Sequence, residues 1–179
     1  MNGTLTDILG ALSRGADGVL PLVRGGDLIA AQHELETLSR TVLAAQVELD
    51  AALDETGTHS QHGYSSLRSM LIELHRLTPR DATAREQRRD QLCERRSLSG
   101  EVLPPRLPET ALALAAGAIG AGHVEVIAHV MRTIPDALDP ATCASVEQQV
   151  AAFARHYTPR DTGTFAAQLV DRLTQDGDP

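Results

Sequence analysis

The 179-residue chain has no lysine and no tryptophan, and all sixteen of its basic residues are arginine. Two Phe and two Tyr bring the aromatic content to only 2%, so a core has to be filled by Leu, Ala, Val and Ile. Against 24 acidic residues the arginines leave a formal charge of −8. A chain this acidic does not coat nucleic acid over its whole surface, because phosphate binding needs positive potential at the contact; a local basic face stays open. Cysteine is scarce too. Cys93 and Cys143 stand alone, without the clustered sulfurs of zinc and redox motifs, and read as buried, reduced thiols of a cytoplasmic protein. Met1 to Val23 has no basic leader region, and Asp7, Arg14 and Asp17 interrupt its apolar residues, so it does not read as a secretory signal. The most apolar stretch, Ala111 to Ala121, is far shorter than the roughly 20 residues of a membrane span, and no membrane partner is expected.

What is present is helix signal, with no run of alternating β-branched residues. Gly25-Gly26 closes an N-terminal segment, and Asp27 can cap a long helix reaching about Asp54. Along it Leu28, Ala31, Leu35, Leu38, Val42, Ala45, Leu49 and Ala52 recur at three- and four-residue steps. Such a stripe needs a partner helix, from this chain or another, so a homo-oligomer through Leu28, Leu35, Leu38, Val42 and Leu49 is one expectation. The polar stretch from Glu55 to Gly63 reads as a linker. Ser65 or Ser66 then caps a helix carrying Leu67, Met70, Leu71, Leu74 and Leu77. Thr78-Pro79-Arg80-Asp81 is a fresh helix start, with Thr78 at the N-cap, Pro79 in the first turn and Asp81 at the positive helix end. The same four residues return as Thr158 to Asp161; with unmatched flanks they read as one capping solution used twice.

The stretch from Ser97 to Pro108 reads as a loop broken by Pro104-Pro105. Further helices are expected over about 108–116, 122–133, 140–157 and 159–174, with Asp139-Pro140 opening the third. The fold class is all-α, a multi-helix bundle with a long N-terminal amphipathic helix. Its organisation is a helical segment over 1–58, a helical core region over 63–175 and a tail over 176–179.

No catalytic residue, cofactor site or metal site presents itself. His59 and His62 lack a third ligand in register, and His123 and His129 point in different directions on one helix. No Ser or Cys sits in a glycine-flanked elbow, and no phosphate-cradling glycine loop precedes a helix. The asymmetry lies in charge. From Arg76 to Arg106 eight arginines meet five acids, a net of +3, which leaves −11 for the rest of the chain. Arg85, Arg88, Arg89 and Arg96 fall on one broad helical face and are the candidates for contact with nucleic acid or a protein partner. The same residues also read as a solvated helix with pairs such as Glu86 to Arg89, or as a face that docks the acidic long helix. Aromatics for base stacking are missing here, which counts against single-strand binding.

The stretch Gly63-Tyr-Ser-Ser-Leu-Arg-Ser-Met-Leu-Ile-Glu-Leu-His-Arg-Leu77 leads into this arginine-rich helix. It is followed by Leu98-Ser-Gly-Glu-Val-Leu-Pro-Pro-Arg-Leu-Pro-Glu-Thr110, by Gly117-Ala-Ile-Gly-Ala-Gly-His-Val-Glu-Val-Ile127 and by Leu173-Thr-Gln-Asp-Gly-Asp-Pro179. From about Gly26 to Pro179, and most strongly over Leu98 to Ile127, this order resembles the actinobacterial domain-of-unknown-function family 222, also called the 13E12 repeat family. The resemblance implies a helical region that usually precedes a C-terminal HNH nuclease domain, in which His and Asn residues and a metal cleave DNA. No such motif stands in this chain, whose one asparagine is Asn2, so no catalytic residue carries over. The position near Met70 is often Trp in the family, and Glu86, Asp90 and Glu94 break the run of arginines. The expectation is a non-catalytic helical module of an HNH-endonuclease-like protein, a truncated or split copy, contacting duplex DNA or a nuclease partner. The alternative is a protein–protein interaction or oligomerisation module without nucleic-acid binding.

Overall fold

In the computed structural model, residues 28–134 and 138–175 are described. The Gly25-Gly26 break, the Asp27 cap and the 176–179 tail lie outside them. Compactness divides the chain between Leu38 and Ser39, inside the first helix. Of the first unit the described part is the opening turns of that helix, where the Thr37 hydroxyl donates to the His33 carbonyl at 2.9 Å. The second unit holds every other element.

The architecture is all-α. The long helix α1 runs Leu28–Glu55, and a single turn, α2 (Thr58–Gln61), sits inside the polar break. Then come α3 (Leu67–Glu73), α4 (Pro79–Leu92), α5 (Pro108–Ala115), α6 (Ala121–Thr133), α7 (Pro140–Ala154) and α8 (Pro159–Gln175). Three departures from the sequence reading have local causes. Helix α3 stops at Glu73 instead of reaching Leu77, because Arg76 adopts a left-handed backbone (φ 56°) and the Leu77 amide donates back to the Leu71 carbonyl at 3.4 Å. That backward bond spans six residues, and the turn returns Leu77 to the cluster of Leu67, Met70, Leu71 and Ala82. The loop after α4 is also not wholly irregular. Arg95–Arg96 (β1) and Val102–Leu103 (β2) pair antiparallel, Arg95 opposite Leu103, across a turn in which Gly100 has φ 86°. Two-residue strands carry no alternation for a sequence reading to detect. Helix α7 ends three residues early, at Ala154, because the chain turns there into the next capped start.

The caps form as their residues dictate. Thr78 and Thr158 each accept from the amide three residues on, at 3.1 and 3.2 Å, and each donates its hydroxyl to the following Asp at 2.7 Å. Asp139 accepts from the Thr142 hydroxyl at 2.6 Å and from the amides of Thr142 and Ala141, and these bonds hold its carboxyl below the usual carboxylate range. Of Ser65 and Ser66, it is Ser66 that caps α3.

The main core joins Val47 of α1 to Leu92, Leu107, Leu114, Ile119, Ile127, Val130, Val146 and Val150. Three of the four aromatics form one stack, with Phe153 lying 4.0 Å from Tyr157 and 4.3 Å from Phe165 between ring centroids. Small residues then set how closely helices approach. A Cβ at Gly163 would lie 3.2 Å from a Val126 methyl, which fixes the spacing of α8 against α6.

The N-cap of helix α5 is Leu107, a residue with no side-chain acceptor, and Glu147 of α7 supplies what is missing. Its buried carboxylate accepts from the amides of Glu109 (3.2 Å) and Thr110 (2.7 Å) and from the Thr110 hydroxyl (2.6 Å). One side chain thus satisfies a helix end and ties α5 to α7. Glu147→Ala should lower the unfolding free energy by about 2–3 kcal/mol, because it orphans a buried hydroxyl and two helix-end donors. Asp139→Ala, which removes an exposed cap, should cost less. Urea melts of the two variants that ranked them the other way would refute this account of α5.

Candidate functional site

Of the four candidate arginines, Arg85, Arg88 and Arg89 stand on α4 and Arg96 on β1. The structure separates them into two groups. Arg85 forms a two-pronged pair with Asp50 of α1: Nε donates to Oδ2 at 2.7 Å and a terminal nitrogen to Oδ1 at 2.6 Å. Asp50 is 2% exposed and the Arg85 side chain 17%. One turn further on, Arg89 reaches Asp54 at 2.8 Å and also holds its neighbour Asp90. Arg96 donates twice to Glu55 Oε1, at 2.9 and 2.6 Å, with both side chains largely in solvent. These three arginines therefore face α1 and are matched by its carboxylates.

Arg88 turns the other way. Its nearest acid is Glu125 of α6, at 3.6 Å, and Glu125 is itself exposed. The Arg88 side chain is only 14% exposed, and its Nε is buried with no hydrogen-bond acceptor. Burial pulls the Arg88 pKa down, Glu125 opposes that shift, and the neighbouring Arg85 reinforces it.

The alternative that the arginines dock the acidic long helix holds for Arg85, Arg89 and Arg96, although the sequence reading did not single out the partners Asp50, Asp54 and Glu55. The signal was available, since Asp50 and Asp54 stand four apart on α1, as Arg85 and Arg89 do on α4. It also missed that Arg80 and Arg132 join Arg88 in lining one cavity. Both cysteines are unpaired and half-buried, and burial pushes the Cys93 thiol up. Among the described residues no three His, Cys, Asp or Glu side chains gather as a metal would require. Among the same residues, no helix is long and apolar enough to cross a membrane.

Removing Asp50 strands a mostly buried guanidinium. Asp50→Ala should cost about 3–5 kcal/mol, whereas replacing both partners, as in Asp50→Leu with Arg85→Met, should recover most of that loss. Denaturant melts of the single and double variants measure the difference. A double variant as unstable as the single one would show that the loss does not come from the stranded guanidinium.

Relatives of the chain carry no assigned activity. The uncharacterized proteins MT1160 and Rv1128c of Mycobacterium tuberculosis are each 33% identical over 168 residues, covering 94% of this chain but only 40% and 37% of their own lengths. The uncharacterized protein Mb1179c of Mycobacterium bovis is 32% identical over 167 residues, 93% of this chain and 37% of its own. The chain thus spans about two fifths of the length of the curated relatives it matches. No solved structure matches it. A family model described as "Domain of unknown function (DUF222)" matches residues 29–179, and the chain belongs to that family.

Proposed function

We propose that the chain is a non-catalytic helical module that pairs with a second copy of itself through the outer face of α1. The observation that carries this reading is the exposure of that face. Val42 is 47% and Leu49 58% exposed, and Ala45 and Ala52 are exposed beside them. Leu43, Val47, Asp50 and Asp54 dock α1 onto its own unit from the opposite side of the helix, and Leu53 packs on the smaller cluster from the edge beside Leu49. The exposed residues belong to a seven-residue repeat. Leu28, Leu35, Val42 and Leu49 recur every seven positions, and Ala31, Leu38, Ala45 and Ala52 recur three places later. Four heptads of this kind form the seam of a two-stranded coiled coil.

A second copy of the same helix suits the seam because its large and small residues complement one another. Run antiparallel, Leu35 meets the partner's Ala45, Leu49 the partner's Ala31 and Leu28 the partner's Ala52, so that three leucines each fill the space left by an alanine, while Val42 meets the partner's Leu38. In this reading the module joins longer family members, and any catalysis, including the nuclease chemistry that the resemblance implies, belongs to residues outside the matched region. A nuclease partner and a cytoplasmic setting belong to the same reading. Contact with duplex DNA through Arg85, Arg88, Arg89 and Arg96 is the second reading. Arg88 favours it most, because the other three guanidiniums would have to leave carboxylates of α1.

Light scattering across a concentration series tests the pairing. The wild-type chain should give twice the monomer mass, and Val42→Glu with Leu49→Glu should give the monomer with its helical signal kept. A wild type that stays monomeric at the highest concentration would end the proposal.

A further inference from the structure

The groove between α4 and α6 is charged unlike the rest of the molecule. It is a half-open cavity of about 410 Å³, lined by Arg80, Arg88 and Arg132 together with Gln87, Gln91 and Glu125. Three guanidiniums face one carboxylate there, a local surplus of positive charge in a chain of net −8. Arg80 lies two helical turns before Arg88 on α4, and Arg132 two turns after Glu125 on α6. Arg88 meets Glu125 in this groove, whereas Arg80 and Arg132 make no ion pair among the described residues.

Two independent features call for an anion in this groove. The first is like charge gathered in a concave site, which focuses positive potential. The second is Arg88, a mostly buried guanidinium whose Nε has no acceptor and whose one carboxylate partner is distant and solvated. A buried charge of this kind is destabilising unless something supplies hydrogen-bond acceptors. From this arrangement we infer that the groove is a phosphate-binding site, in which Arg80, Arg88 and Arg132 hold the phosphate oxygens and Gln87 and Gln91 offer amide donors. Guanidinium forks match phosphate oxygens in pairs, and the roughly 12 Å of helix between Arg80 and Arg88 separates two phosphates better than it grips one. The phosphate can belong to a small phosphorylated compound or to a nucleic-acid backbone. The site is independent of the pairing through α1, which uses neither of the groove's helices.

Nitrogen-15 NMR of the arginine side chains, recorded on the full chain at low salt, tests the site with two probes, inorganic tripolyphosphate and a short DNA duplex. A bound phosphate should shift the Nε–H signals of Arg80, Arg88 and Arg132 saturably and leave those of Arg85 and Arg89 in place. Arg80→Gln and Arg132→Gln should each weaken binding about tenfold, as the loss of a charge-assisted hydrogen bond does. Both side chains are exposed, so these variants should melt like the wild type, and they decide the question even if Arg88→Gln fails to fold. Tighter binding of the duplex, with a steep loss of affinity on adding salt, identifies a nucleic-acid backbone as the source; equal or tighter binding of tripolyphosphate identifies a small ligand. The inference is overturned if neither probe saturates, if the shifts fall on Arg85 and Arg89 instead, or if polyglutamate binds more tightly than both.

Discussion

The pair between Asp50 and Arg85 is the constraint on which the described architecture turns. Asp50 lies between two apolar anchors of α1: Val47, one turn earlier, enters the main core, and Leu53, one turn later, packs on the smaller cluster around Leu71. The carboxylate thus sits where two cores meet, and its two oxygens are both spent on one guanidinium of α4. A buried ion pair contributes little net stability compared with a well-packed apolar pair, because both charges must be stripped of water. What it contributes here is register. Sliding α1 by one residue would leave Asp50 buried without Arg85, Val47 outside the core and Asp54 out of reach of Arg89. The first of those losses, a buried carboxylate without a partner, is the costliest.

The remaining buried polar groups do comparable work at other joints. Glu147 completes the start of α5 from α7, and His123 spans the start of α6 and the corner before α8. The Nδ1 atom of His123 accepts from the Gly120 amide at 3.3 Å while Nε2 donates to the Tyr157 carbonyl at 2.9 Å, so the two partners select its tautomer. A core built mainly from Val, Ala and Leu has few large shapes to specify which helix meets which. Directional bonds from Asp50, Glu147 and His123 supply that specificity, and the one aromatic stack holds the junction of α7 and α8.

Helix starts were the most legible part of the sequence, because a cap is a local event: Thr78, Asp139 and Thr158 act within three residues of themselves. The stripe on α1 was legible as a stripe, yet which side of the helix docks was not. The docking face contains Asp50, Asp54 and Glu55, and a hydrophobic pattern scores those positions as solvent-facing. Only their charge partners turn them inward, and the partners stand more than thirty residues away. The left-handed turn at Arg76 was hidden for a related reason, since nothing short of the return of Leu77 to its cluster favours a non-glycine residue there. The β1–β2 ladder is too short to leave a period. The arginine-rich segment announced itself as a concentration of charge, but composition says nothing about how that charge is shared between two sides of a helix.

That sharing follows from helix geometry. Arg85 and Arg89 are four apart and turn only about 40° from one another, whereas Arg88 lies about 100° round the helix from Arg89, on the far side of Arg85, and Arg80, two turns before it, lies further round in the same direction. Helix α4 lies between α1 and α6, so its two sides meet different electrostatic surroundings: Asp50 and Asp54 of α1 on one side and the exposed Glu125 of α6 on the other. Neutralisation is nearly complete on the first side and incomplete on the second. A run of arginines in an acidic protein thus has two separate physical roles, one holding the helices together and one leaving unspent positive charge in a groove. The residues that suit an external anion are for that reason not the ones with the best hydrogen-bond geometry in the structure, but those whose donors the fold leaves unmatched.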